Sequence, residues 1–316
     1  FWIIDDLTPL HQLSDAVAEA DFHLFQPKPS YRLQHKGRGR RDPLLHGENH
    51  PEGVMFYFNL EDAPAADDVV TLEILEDDGT LIRRFSSDAE EDAHKLEVEA
   101  GSNLFVWDMR YPDALSFDGL ILYSSNTQGP LAVPGPYRAR LSVNEASVEQ
   151  SFELLKDPRV NSSLADLQAQ FDFLIKVRDK LTEAHQAVID VRALREDLAY
   201  LEAKLEDRDG TTEILAAIDS LRDAATVIEN NIHETRNEAY QDPLNFGIKL
   251  NNRLAYLATH ESAGDFRPTD QGEAYRREVS AQIDAEIEAL EQLLQEQLPV
   301  INRMVEEQGV NILSVP

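Results

Sequence analysis

The sequence has no cysteine, and this absence excludes disulfide bonds, thiolate metal sites and cysteine nucleophiles. It also lacks an apolar run of the roughly 18 residues needed to cross a bilayer, so we expect no membrane span. Basic residues are few, since 29 Lys and Arg face 59 Asp and Glu and leave a formal net charge of −30. A field of that sign repels phosphate backbones, and we therefore expect no nucleic-acid partner.

The sequence does contain enough apolar material for packed cores. The chain has 316 residues, of which 42% are hydrophobic and 8% aromatic. A length above the usual single-domain size predicts two folded units. The chain opens on the apolar run 1–4 without an initiator Met or a basic segment, which is unlike a signal peptide. We expect that it was cut from a longer protein.

The N-terminal part predicts a short structured stretch and then a connector. Residues 1–26 begin with the strand-like piece 1–4, and 10–25 carries apolar residues compatible with one short helix. Residues 27–53 are rich in proline and glycine and include the basic run 36–41, which is typical of an irregular connector. The basic run has no interleaved aromatic residues, which again disfavours a nucleic-acid patch.

Residues 54–160 show the alternation of apolar and polar side chains that is typical of β-strands. The clearest signal is the Asp78-Gly79 pair between two such runs, because this pair readily adopts the positive φ angles of a tight hairpin. Several short strands at this spacing predict an immunoglobulin-like or fibronectin-like β-sandwich. The predicted strands are 54–58, 69–75, 81–85, 96–99, 103–107, 137–143 and 148–155.

In residues 161–316 the apolar period changes to about 3.6, which predicts helices. Ser162 or Ser163 can cap the first helix, and Asp166 is placed for a capping box. Long helices with short connections predict an antiparallel helical bundle, and Pro299 is expected to kink or restart the last helix. The predicted helices are one from Ser163 to a break at Asp209-Gly210, then 211–240, 244–259 and 269–308.

Motifs that could carry chemistry are few. The run 46–50 has two histidines. Metalloprotease histidines of this kind lie on a helix, and Gly47 and Pro51 disfavour a helix here. The acidic turns 76–79 and 88–92 lack the alternating carboxylates and late glutamate of a calcium loop. No sequence pattern indicates a carboxylate pair for glycoside hydrolysis. Glycine-rich phosphate loops and serine nucleophile elbows are also absent from the sequence. We therefore nominate no catalytic residue, no cofactor and no metal ligand.

Three polar residues lie on the apolar stripe of the first long helix. His185 could be a ligand or a base, but a lone histidine on such a face is more often a buried core residue whose hydrogen bonds are satisfied. Arg178 and Arg192 are expected either to extend their charges to water or to pair with acidic residues of a neighbouring helix.

Several stretches together resemble one protein family. Residues 1–10 are similar to the closing strand and exit of the β-propeller in bacterial sortilin-like, BNR-repeat "glycosyl hydrolase" proteins. Residues 101–112 resemble the G-x-N-x-F-x-W-D-x-R-Y-P stretch that follows the propeller there. With residues 134–137 they also resemble Ig-like modules of the flagellar-hook FlgD type. Residues 157–159 and 165–171 resemble the family's junction into its C-terminal helices.

The resemblance implies the C-terminal region of a larger bacterial protein that is periplasmic or secreted. Its parts would be a propeller remnant and exit segment (1–26), an irregular connector (27–53), an Ig-like sandwich (54–160) and a helical bundle (161–316). In such proteins the propeller would carry any glycan-binding or hydrolytic site. Because only its last strand would be present, no propeller site residue is transferred to this chain.

The expected function is that of a non-catalytic accessory region acting in interdomain packing or protein association. The expected partners are the preceding propeller and a second copy of the chain in a homo-oligomer. One alternative is a part of a glycoside hydrolase whose active site lies mainly in the propeller. Another is a carbohydrate-binding sandwich, with a glycan as partner. The candidate ligand or interface residues are Trp107, Asp108, Arg110 and Tyr111, although the same residues would serve the fold if Trp107 fills the core.

Overall fold

The structure is a computed structural model that describes residues 6–33, 50–65 and 67–309. Three predicted features lie outside the described residues: the propeller-like strand 1–4, the basic run 36–41 and residues 46–49 of the histidine motif. The interpretations given to these stretches stay predictions.

The described residues form two compact units, each of which is interrupted in the sequence. The β unit comprises the residues up to Pro112 together with Gly129–Phe171 and Gly264–Arg267. The helical unit comprises Asp113–Gln128, Asp172–Ala263 and the residues from Pro268 onward. Strands precede the long helices, so the predicted order of β and then α is confirmed. The four domain boundaries implied by the resemblance stay predictions.

The strands of the β unit form two sheets. One is antiparallel, with the order β1-β3-β6, and the other has the order β2-β8-β7-β4-β5. In the second sheet the pairing of β2 with β8 is parallel. The described strands are β1 Phe22–Leu24, β2 Ser30–Arg32, β3 Val54–Leu60, β4 Val70–Glu76, β5 Leu81–Ser86, β6 Gly101–Trp107, β7 Gly135–Val143 and β8 Ala146–Lys156.

The hairpin predicted at Asp78-Gly79 is confirmed. It joins β4 to β5, which pair in antiparallel register with Leu72 opposite Phe85. Gly79 has a φ of 93°, a conformation that L side chains rarely adopt. The Asp78 carboxylate accepts the N–H of Thr80 at 2.9 Å and so closes the turn.

The strand predicted at 96–99 is wrong. Leu96 is buried, but this stretch is irregular and the strand begins only at Gly101. The reason is a local side-chain turn, because the Asn103 amide bonds to both the N–H and the C=O of Glu99, each at 2.8 Å. These main-chain groups are thereby unavailable to a neighbouring strand.

Alternate residues of both sheets contribute to one apolar cluster in the β unit. In β3 the residues with buried side chains include Val54, Phe56, Phe58 and Leu60. This period of two places one face of the strand inward. The cluster is Leu24, Val54, Phe56, Phe58, Leu60, Val70, Leu72, Ile74, Ile82, Phe85, Leu96, Trp107, Met109, Ala132, Tyr137, Ala139, Leu141, Phe152 and Leu154.

The short helix predicted at 10–25 is wrong. Two four-residue helices and the strand β1 occupy this stretch. The first helix ends at His11, and Ser14 caps the second by accepting the N–H of Val17. Gln12 bonds through its side-chain amide to the main chain of Gln26, which folds the stretch back on itself. The described helices are α1 Thr8–His11, α2 Asp15–Ala18, α3 Leu164–Leu205, α4 Thr212–Ile232, α5 Pro243–Phe246, α6 Leu250–Glu261 and α7 Asp270–Glu307.

The first and last long helices agree with their predictions. Ser163 and Asp166 form the predicted capping box at the start of α3, because each side chain accepts the main-chain N–H of the other. Thr269 caps α7 by accepting the N–H of Gly272 at 2.9 Å. The helix α7 continues through Pro299, so it is not restarted there.

The two middle helices differ from their predictions. The helix expected over 211–240 ends at Ile232, because His233 has extended backbone with φ −130° and ψ 144°. The helix expected over 244–259 is split, since Gly247 has a φ of 83° and separates α5 from α6. A residue with positive φ ends a helix.

Two apolar clusters fill the helical unit, and no helix among its described residues is long and apolar enough to cross a membrane. The larger cluster includes Phe173, Leu174, Val177, Leu181, Val188, Val191, Ile228, Ile232, Leu254, Leu257, Val279, Ile283 and Leu290. The smaller comprises Leu198, Leu205, Ile214, Ile218, Leu221, Ile301 and Val305.

Candidate functional site

Trp107, the first of the candidate ligand residues, lies inside the β unit. Its side chain is 1% exposed and packs edge-on against Tyr137 and Phe152, with ring centroids 6.2 and 6.1 Å away. Its indole N–H donates to the main-chain oxygen of Arg110 at 3.1 Å. The indole therefore has its polar and its apolar contacts within the unit.

The other three candidate residues also contact the β unit. Asp108 is exposed and accepts the N–H of Arg110 at 3.0 Å. The Arg110 guanidinium donates to the main-chain oxygen of Gly129 at 2.8 Å. The Tyr111 hydroxyl donates to the Glu76 carboxylate at 2.7 Å, and burial together with this bond raises the pKa of Tyr111. These contacts join the strand end of β6 to its neighbours in the unit.

Gly129 lies directly against this turn, and a substitution there is expected to disrupt it. A Cβ at Gly129 would lie 2.1 Å from the main-chain oxygen of Tyr111. We expect Gly129→Ala to lower the free energy of unfolding by about 1–3 kcal/mol or more, because backbone must move. Urea denaturation measures this. The control is Gly264→Ala, whose Cβ would meet only the Phe266 side chain, at 3.3 Å. Equal stabilities for the two variants would contradict the close approach.

A buried ion pair that no sequence pattern indicated also lies in the β unit. Arg32 Nη1 is 3.0 Å from Asp265 Oδ1, and both side chains are 4% exposed. Arg32 also donates to Gln170 at 3.2 Å, and Gln170 donates to the main-chain oxygen of Gly264 at 2.6 Å. Burial lowers the pKa of Arg32, and the Asp265 charge opposes that effect. Because Arg32 and Asp265 are far apart in sequence, no local pattern predicts their ion pair.

A cluster of buried polar side chains lies in the helical unit, where one asparagine contacts two histidines. The exposed fractions of His185, His233 and Asn251 are 0%, 2% and 1%. Asn251 Nδ2 lies 3.3 Å from His185 Nε2 and 3.2 Å from His233 Nδ1. The Asn251 side-chain oxygen accepts the N–H of Asn252 at 2.7 Å, which fixes the orientation of the amide.

These contacts assign the protons on both imidazoles. The Asn251 amide nitrogen can only donate, so His185 Nε2 and His233 Nδ1 must both accept. His185 Nδ1 then carries the proton that is donated to the Leu115 carbonyl, 2.5 Å away. Burial lowers the pKa of His185, and burial followed by the Arg192 charge lowers that of His233 to about 4. Both rings are therefore neutral at pH 7.

An acidic residue with two arginine partners lies in the same unit. Glu229 on α4 is fully buried, with its Oε1 2.8 Å from Arg192 Nε and its Oε2 2.5 Å from Arg195 Nη2. Both arginines come from α3 and remain 30% exposed. The carboxylate is thus compensated on both oxygens, and the cations keep part of their hydration.

These buried groups surround loop 113–128, which has no helix or strand. The side chains of Thr182 and His185 bond to the N–H and C=O of Leu115 at 3.1 and 2.5 Å. Arg192 donates to the C=O of Asp118 at 2.7 Å. The loop is closed on itself, because the N–H of Ala114 donates to the C=O of Thr127 at 2.8 Å.

The second half of loop 113–128 is held by α6 and the connection before it. Asn252 accepts the N–H of Tyr123 at 2.8 Å and donates to its C=O at 3.1 Å. Its amide also donates to the Ser125 hydroxyl at 2.9 Å. The N–H of Ser124 donates to the hydroxyl of Tyr240 at 3.1 Å. The helical unit therefore binds this loop largely through its main chain.

An aromatic ring of the loop lies between the two histidines. The Phe117 ring is 5.0 Å from each imidazole and nearly perpendicular to both. The Arg192 guanidinium lies over the same ring at 4.7 Å, within the range of a cation–π contact. Ala114 and Leu122 of the loop are buried in the larger apolar cluster.

Sequence reasoning identified part of this site. The interpretation of His185 as a buried, hydrogen-bonded core residue is confirmed, and Arg192 pairs with an acid of another helix as expected. Arg178 pairs with its neighbour Asp179 on the same helix. His233 and Asn251 were missed, because the first was assigned to a helix interior and the second belongs to no motif.

Metal ligation has no support among the described residues, since no group of three or more His, Asp and Glu side chains converges there. A shallow cavity in the β unit is lined by four acidic residues and apolar neighbours. The acidic ones are Asp21, Glu61, Asp62 and Asp68. Asp68 bonds to the side chain of Asn144 and to the N–H of Ala65, both at 2.8 Å. It therefore already has partners within the unit.

Comparisons with known proteins add little. No protein-family model matches the chain, and no curated protein matches it. Among solved structures the chain is similar to one named pT26-6p, with 12% sequence identity and a TM-score of 0.17. The match covers 77% of this chain and 46% of that chain, so this chain spans less than half the length of that protein. A similarity at this TM-score carries no information on fold or function.

Proposed function

We propose that this chain is a non-catalytic accessory region whose helical unit holds an irregular stretch of polypeptide. The observation that supports this most is the use of Thr182, His185, Arg192 and Asn252. Each of the four makes a hydrogen bond with a main-chain atom of loop 113–128. These polar side chains therefore bind the protein's own loop 113–128.

The proposal includes a finer description of the fold. We propose that the β unit is an immunoglobulin-like or fibronectin-like sandwich, which is supported by the apolar cluster that residues of both sheets share. We propose that the helical unit is an antiparallel bundle, which is supported by the shared apolar cluster of α3, α4, α6 and α7.

The proposal also includes a parent protein. On the basis of the resemblance, we propose a C-terminal region that follows a β-propeller in a periplasmic or secreted bacterial protein, with that propeller as its partner. The W-D-x-R-Y-P stretch supports this assignment, because Trp107 and Tyr111 have the internal contacts expected of a fold-maintaining motif.

The holding role is tested by removing one main-chain contact. We expect Asn252→Ala to speed hydrogen exchange at the Tyr123 amide roughly tenfold, because loss of about 1–2 kcal/mol of hydrogen bonding favours local opening. Hydrogen exchange followed by mass spectrometry or NMR measures this. The matched control is the exposed Asn245→Ala on α5, which should leave exchange in the loop unchanged. Unchanged exchange in Asn252→Ala would contradict the holding role.

The two alternatives are separated by a ligand screen. A glycan array and a panel of chromogenic glycosides, applied to this chain, should give neither binding nor hydrolysis if the region is accessory. Binding would favour the carbohydrate-binding sandwich. The glycoside-hydrolase alternative places the active site mainly in the propeller, so it is tested in the parent protein, where activity unchanged by deletion of residues 54–316 would contradict an essential contribution from this region. Light scattering during gel filtration tests the association part, since a strict monomer at high concentration would contradict a homo-oligomer.

A further inference from the structure

The chain of hydrogen bonds through Asn251 works only while both histidines are neutral. Asn251 Nδ2 has two hydrogens, and His185 Nε2 and His233 Nδ1 accept one each. A proton added to either nitrogen would place two donors face to face inside the helical unit. Because these groups are at most 2% exposed, water cannot supply the missing acceptor without a local opening.

The position of loop 113–128 depends on the hydrogen bonds that join His185, Asn251 and His233. His185 donates to the Leu115 carbonyl, and the Phe117 ring lies against both imidazoles. A shift of either ring therefore changes contacts that hold the first half of the loop, beside those made by Thr182 and Arg192. We propose that the His185–Asn251–His233 chain is a pH-sensitive latch, which holds loop 113–128 while both imidazoles are neutral and releases it when either takes up a proton.

The charges around the latch oppose protonation more than they favour it. Arg192 from α3 acts against a proton on His233, and so does His185. Glu229 from α4 is already compensated by Arg192 and Arg195. Glu234 favours protonation of His233, but Arg236 bonds to it at 2.7 and 2.8 Å. From α7, Asp284 accepts from Lys180 and Glu286 accepts from Asn231, so both carboxylates have other partners.

The direction of the pH effect follows from the lowered pKa values of the two histidines. In the released or unfolded chain a histidine takes up its proton near pH 6.5, whereas in the latch His233 does so only at about 4. The latch is therefore intact above pH 6.5 and is lost progressively as the pH falls from 6.5 towards 4. Arg236 holds the pKa of Glu234 at about 2, so this carboxylate stays charged throughout that range.

The absence of cysteine makes a single-site probe straightforward. Ser116 is an exposed residue of the loop, and Ser116→Cys would carry the chain's one thiol, ready for a nitroxide spin label. We expect the electron paramagnetic resonance spectrum to sharpen reversibly as the pH falls from 6.5 to 4, while far-UV circular dichroism keeps the helical signal. A spectrum that stays constant over this range would overturn the latch, and so would a helical signal that disappears together with the sharpening.

Two variants in the labelled background complete the test. His233→Asn keeps an acceptor oxygen near the position of Nδ1 but cannot titrate, so the number of protons linked to release should fall from about two to about one. His260→Gln, at an exposed position of α6, should leave the transition unchanged. An unaltered transition in His233→Asn, or a shifted one in His260→Gln, would overturn the assignment.

The latch rests on the holding role proposed above, and Asn252→Ala distinguishes the two. In this variant hydrogen exchange at the Tyr123 amide reports the holding role, because Asn252 bonds to Tyr123 through groups that do not titrate. Unchanged exchange there would contradict the holding role itself. Faster exchange in Asn252→Ala, together with a Ser116 label that ignores pH in the parent chain, would overturn the latch alone.

Discussion

Trp107→Ala is expected to lower the free energy of unfolding by about 3–5 kcal/mol, the usual cost of removing a buried large aromatic side chain. Trp107 is 1% exposed and lies between Tyr137 and Phe152, so its removal leaves a cavity that these rings cannot fill without moving. The Arg110 carbonyl also loses the indole N–H that it accepts. Urea denaturation followed by far-UV circular dichroism measures the change.

Trp107→Phe is the matched control, and it should cost less because an aromatic ring still occupies the site. In a Trp2→Phe variant Trp107 is the remaining tryptophan, and acrylamide should quench its fluorescence only weakly. Strong quenching, or a cost for Trp107→Ala near zero, would contradict the buried position. Either result would restore Trp107 as a candidate sugar platform.

The double substitution Arg192→Leu, Arg195→Leu is expected to cost about 3–5 kcal/mol at pH 7, because it leaves a buried carboxylate without a counter-charge. Glu229 is fully buried, and these two side chains contact its two oxygens. Arg192 also donates to the Asp118 carbonyl and lies over Phe117, so part of the loss falls on loop 113–128.

A third substitution separates charge from packing. Adding Glu229→Leu should recover much of the loss at pH 7, since no buried charge then remains. The absence of any recovery would show that lost packing explains the cost.

The elements predicted correctly are those whose signals are local. The hairpin at Asp78-Gly79 follows from one dipeptide between two alternating runs, and the start of α3 follows from a capping box. The long helices α3 and α7 are sustained by apolar periodicity over many turns. Each of these needs only neighbours within a few residues.

The elements predicted wrongly are those in which a distant or side-chain partner decided the outcome. The stretch 96–99 alternates like a strand, yet the Asn103 side chain occupies the N–H and C=O of Glu99. The helical pattern of 211–240 ends at Ile232, where His233 leaves the helix and bonds to Asn251. Periodicity reports which face is buried, and it does not report which polar group will compete for the backbone.

The candidate site shows the same division. By itself the sequence determined the order of β and α, and it predicted the buried position of His185 and the pairing of Arg192 with another helix. It left open whether Trp107 binds a ligand or fills the core. Only the tertiary structure decided that His233 and Asn251 complete a chain with His185 and that loop 113–128 belongs to the helical unit. Hydrogen bonds between residues more than about 12 positions apart depend on how the helices pack, and no local pattern encodes them.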